Sequence, residues 1–108
     1  MKKLLFLTVF AVLVGATLAQ ASFTAGPTSP VAASRPGAAV VGGKAYVMGG
    51  ETAKAYSNQI HIFDFAANTW STSAATMPTG LSNICVTSYD NKIYVVGGYT
   101  GATGSNTL

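Results

Sequence analysis

An all-β fold built from stacked antiparallel sheets is predicted by three features of the 108-residue chain. Short apolar runs alternate with turn residues, helical periodicity is weak beyond the N-terminal stretch, and the chain repeats itself at a spacing of 48 residues. Composition narrows the field further. Only 8% of residues are charged, and the formal charge of +3 owes two of its six basic residues to Lys2 and Lys3. A chain this poor in charge lacks the basic stripe of a nucleic-acid binder, so no nucleic-acid partner is expected. One cysteine closes no internal disulfide.

Taken in order, the chain opens with Met1-Lys2-Lys3, runs from Leu4 to Val14 with only Thr8 polar, and reaches Ala19-Gln20-Ala21. A basic start, a short apolar core and a small-residue exit predict a helical secretory signal peptide over 1–21. As a helix the apolar core would span about 16 Å, roughly half of a bilayer interior. No stable membrane insertion is therefore expected after cleavage, and the destination is a periplasm or the cell exterior. Without the signal, Arg35, Lys44, Lys54 and Lys92 stand against Glu51, Asp64 and Asp90, a balance of 4 − 3 = +1. Residues 22–37 carry Pro27, Pro30 and Pro36 among small polar residues and predict an extended lead-in.

Six β-rich runs follow: Ala38 to Val41, Ala45 to Met48, Gln59 to Phe65, Thr69 to Ser73, Ile84 to Thr87 and Ile93 to Val96. Gly42-Gly43 and Asp90-Asn91 make two-residue connections suited to tight hairpins, because these residues tolerate positive φ. Tyr46-Val47-Met48 and Ile93-Tyr94-Val95-Val96 are continuously apolar, whereas a strand with one wet face alternates with period two. Sheets covered on both faces are expected.

Set against Lys92, Lys44 begins an ungapped register in which eight of seventeen residues are identical, including Gly49-Gly50 on Gly97-Gly98. A period near 50 in an all-β chain marks a radial array of blades.

These residues resemble the Kelch-repeat family. Ala45-Tyr46-Val47-Met48-Gly49-Gly50 is its apolar run and double glycine, followed by Phe63-Asp64 and by Asn68-Thr69-Trp70. Arg35 and Gly37 match its Arg-x-Gly. In the second repeat Met77-Pro78 and the double glycine match, while Leu81 and Asn83 stand in for that Arg and Gly. The resemblance implies a β-propeller of four-stranded blades, with residues 38–83 as the first blade and its exit loop and 84–108 as a partial second. Trp70 and Phe63 are expected to wedge between blades, and Asp64 to Asn68 to close a turn through their own backbone. About one and a half blades make an incomplete ring, since propellers close with about four to eight. The open faces would be covered by downstream blades, the chain being a fragment, or by self-association of several copies.

In such a meander the long loops Glu51 to Asn58, Ala74 to Asn83 and Tyr99 to Asn106 emerge at one end, where binding residues concentrate. Glu51, Lys54, Tyr56 and Tyr99 are the candidate ligand-binding residues. His61 is the sole histidine, flanked by Ile60 and Ile62, and reads as a packed residue rather than a metal ligand. Cys85, between Ile84 and Val86, is expected to be a small buried residue. One histidine and three acids assemble no catalytic set, so no enzyme activity, metal or cofactor is expected. The predicted function is an exported binding module that recognises a protein or a glycan through its long loops. The alternative implied by the resemblance is the N-terminal part of a secreted sugar enzyme, galactose-oxidase-like or sialic-acid-epimerase-like.

Overall fold

The computed structural model describes residues 21–53, 55–102 and 104–105. The predicted signal peptide up to residue 20 and the candidate residue Lys54 lie outside these described residues. Four strands in chain order form one antiparallel sheet: β1 (Gly37–Val41), β2 (Lys44–Met48), β3 (Ile60–Asp64) and β4 (Thr69–Thr72). A second sheet pairs β5 (Cys85–Tyr89) with β6 (Lys92–Val96), and a short ribbon pairs β7 (Gly98–Tyr99) with β8 (Gly104–Ser105). The all-β reading and its four-stranded meander are thus present. The ribbon was not predicted, and β5 begins one residue later and ends two residues later than its apolar run suggested.

The turns explain the register. Gly42 and Gly43 have φ of 56° and 73°, and Asp90 and Asn91 have 49° and 57°. Positive φ at both central residues is what a tight hairpin needs to follow the right-handed strand twist. Between β3 and β4, one Asp64 carboxylate oxygen accepts from the N–H groups of Ala66 and Ala67 at 3.0 Å each. Those two bonds, that of Ala67 foremost, together with Lys44 nearby, hold the Asp64 carboxyl below its ordinary value of 3.8.

Cross-strand partners share a face, so the register sorts the side chains. Gly37, Ala39, Tyr46, Met48 and Ile60 face the second sheet. Val86, Ile93 and Val95 face back, and with Ile84 they pack around buried Met48, Met77 and Leu81. Gly37 permits the approach: a Cβ there would run into the side chains of Val86 and Ile84. Between the sheets, beyond β6, a cleft of about 410 Å³ opens over Tyr46, Met48, Ile60 and Met77.

Two expectations are corrected here. Among the described residues the second sheet is covered on one face only: Ile93 and Val95 are half-buried, while Tyr94 and Val96 are 36% and 45% exposed on the other side. Cys85 shares that open face and is exposed. Phe63 and Trp70 lie outside the one sheet-to-sheet contact made by the described residues. They pair across strands at 5.1 Å on the far face of the first sheet, where the Trp70 indole N–H donates to the Pro27 carbonyl of the lead-in at 3.0 Å. His61, on that face, is buried as expected, its Nδ1 lying 3.0 Å from Thr72 Oγ1.

Candidate binding site at the loop end

The starts of β1, β3 and β5 and the ends of β2, β4 and β6 lie at one end of the molecule. Gly49 and Gly50 (φ 68° and 92°) turn the chain sharply out of β2, and Gly97 and Gly98 (63° and 122°) do the same after β6. No side chain fits at Gly49, where an added Cβ would sit 2.5 Å from the Leu81 carbonyl oxygen. Beyond each glycine pair the chain makes a reciprocal backbone bridge. Ser34 and Glu51 exchange N–H···O bonds of 2.9 and 2.8 Å, and Ser82 and Tyr99 exchange bonds of 3.0 and 2.8 Å. Since 34 + 48 = 82 and 51 + 48 = 99, the repeat holds in three dimensions outside its strands. The Glu51–Tyr56 bridge of the first repeat likewise corresponds to the Tyr99–Gly104 pair of the ribbon.

This equivalence corrects one assignment. Leu81 and Asn83 do not occupy the places of Arg35 and Gly37; Asn83 occupies that of Arg35, and Cys85 that of Gly37. Both Arg35 (φ 56°) and Asn83 (φ 52°) are left-handed, and Asn83 N–H donates to the Arg35 carbonyl at 3.1 Å. A non-glycine residue rarely adopts this conformation.

The loops are bound to each other by backbone. Gly50 N–H donates to Leu81 O (2.8 Å), Leu81 N–H to Ser57 O (3.1 Å) and Met77 N–H to Asn58 O (2.8 Å). Asn58 Nδ2 adds a bond to Met77 O at 3.3 Å. Three of the four candidate residues are brought together on this frame. Tyr56 and Tyr99 meet edge to face with ring centres 5.8 Å apart, and the Tyr99 hydroxyl donates to Gly101 O at 2.8 Å. Glu51 forms an ion pair with Arg35, both side chains partly open to solvent. Paired, the two charges cancel while their remaining donor and acceptor positions stay exposed, leaving a neutral polar rim beside two phenol rings. Arg35 was not among the predicted binding residues. No signal in the sequence links it to Glu51; the pairing follows from the backbone bridge that closes Ser34 onto Glu51.

A four-stranded meander whose first two strands recur in register 48 residues on, each copy closed by a glycine pair, defines a tandem blade-repeat protein. The Kelch motif matches residues 32–77 and 80–108, and the chain belongs to the Kelch-repeat family. It is similar to an F-box/kelch-repeat protein of Arabidopsis thaliana, 37% identical over 73 residues that make up 68% of this chain and 18% of the relative. The chain thus spans about a fifth of that relative's length.

Proposed function

We propose that this Kelch-repeat module is exported and works by interaction rather than catalysis, recognising a protein or a glycan at its loop end. The observation that carries the reading is the convergence of Glu51, Tyr56 and Tyr99, with Arg35, on loops bonded to each other through backbone. Aromatic rings bordered by satisfied polar groups suit contact surfaces, because they offer large area at small entropic cost. The burial of His61, the sole histidine, against Thr72 also supports a non-catalytic role, since a substrate at the loops would not reach its ring.

Peptide and glycan arrays probed with the full chain test this reading. Ligands that bind should be lost or weakened about tenfold or more, some 1.4 kcal/mol, with Tyr56→Ser or Tyr99→Ser. They should be retained with Asp90→Asn at the other end, a change the turn's positive φ tolerates. Binding indifferent to the tyrosines would overturn the loop-end site. For export, the intact mass of protein recovered outside the cytoplasm should correspond to a chain beginning at Ser22. An unprocessed chain confined to the cytoplasm would refute that part.

A further inference from the structure

The two sheets carry the same pair of faces, and among the described residues no sheet lies against the far face of the first, which the lead-in touches at Trp70, or against the open face of the second. The face of the first sheet that meets the second holds Gly37, Ala39, Tyr46 and Met48. Moved by 48 residues it becomes Cys85, Thr87, Tyr94 and Val96, which is the open face of the second sheet. The second sheet's covered face, Val86, Ile93 and Val95, corresponds to Ala38, Ala45 and Val47 on the far side of the first. Beside these, Val40 is 56% exposed.

We propose that the chain associates head to tail with a second copy of itself, so that Cys85, Thr87, Tyr94 and Val96 of one copy lie against Ala38, Val40, Ala45 and Val47 of the next. This contact continues the interface already present within the chain, and it is independent of the loop-end reading above. Complementarity favours a copy as the occupant. Within the chain, side-chain-free Gly37 opposes Val86. Between copies, Cys85 would oppose Ala38, a larger residue against a smaller one, so the filled volume across the contact is conserved. All eight side chains named are uncharged, so no charge is stranded by burial. The lead-in leaves room, because its bond to Trp70 lies on outer strand β4, whereas the two sheets meet through inner strands β1 and β5. The contact is heterologous, so it closes into a ring when the rotation per repeat allows. It also joins two loop ends: as Asn83 N–H donates to Arg35 O within the chain, Arg35 N–H of the next copy would donate to Asn83 O.

Native mass spectrometry and oxidative cross-linking of the full chain test the proposal. The expected result is discrete oligomers at micromolar concentration, reduced at least tenfold in apparent affinity by Tyr94→Lys. In Ala38→Cys, oxidation should give intermolecular disulfides between positions 38 and 85, since the intrachain counterparts Gly37 and Val86 are close enough that a Cβ at Gly37 would meet the Val86 side chain. Should Ala38→Cys fail to fold, the wild-type sizing and the Tyr94→Lys shift decide the matter. A chain that stays monomeric to about 100 μM would overturn it. So would oligomers that cross-link only through Cys85 to Cys85, because that contact is face to face rather than head to tail.

Discussion

Asp64 shows how much local order one side chain supplies. Its carboxylate collects two backbone N–H groups in the β3–β4 turn and lies 3.7 Å from Lys44 Nζ. Because the folded-state carboxyl titrates below 3.8, its contribution is present above that pH and fades as pH falls through the lowered value. Asp64→Asn should therefore flatten the acid limb of a stability-versus-pH curve, with a small effect because the group is solvent-screened. Urea midpoints between pH 2 and 6 check this; parallel wild-type and variant curves would count against it. Gly49 is a sharper case. Its φ of 68° and the nearby Leu81 carbonyl leave no place for a methyl group. Gly49→Ala should cost more than about 1 kcal/mol in the same assay, whereas Gly26→Ala, in open space, should cost little.

At the scale of elements, the strands were legible because turns and patterning agreed. Gly42-Gly43 and Asp90-Asn91 set both hairpins, and the observed strands overlap all six predicted runs. Which faces are covered was less legible. Ile93-Tyr94-Val95-Val96 is as apolar as a two-sided strand, yet among the described residues only alternate ones are packed, because a single sheet lies against it there. Trp70 was read correctly as a large packing residue, but its partner Pro27 is 43 residues away and no local signal links them. The core between the sheets is small and rests on Met48, which is 3% exposed. Met48→Ala should destabilise by about 2–5 kcal/mol, measured by urea unfolding, and a change below about 1 kcal/mol would show that the sheets do not depend on each other.

For the whole molecule, the loop-end backbone bonds tie the exit loop 74–83 to the first repeat and so tie the second sheet to the first. Unfolding followed by Trp70 fluorescence, which reports the first sheet, should coincide with unfolding followed by far-ultraviolet circular dichroism. Separate transitions would mean the repeats are independent. The candidate site was partly legible at this scale. Meander topology alone placed Glu51, Tyr56 and Tyr99 at one end, but Arg35 sits ahead of its strand and gained a role only through the fold that closes Ser34 onto Glu51.

The contrast between the two ends governs where such a chain has freedom to change. An extra residue in the Gly42-Gly43 or Asp90-Asn91 turn would slip a strand by one position and send its buried side chains into water. The stretch from Thr52 to Ala55 is closed by its own short bonds, Thr52 N–H to Ala55 O at 2.9 Å among them, and can lengthen without moving any strand. Drift in length and chemistry is therefore channelled to one pole, so that related chains can acquire new specificities there while the opposite pole stays nearly fixed.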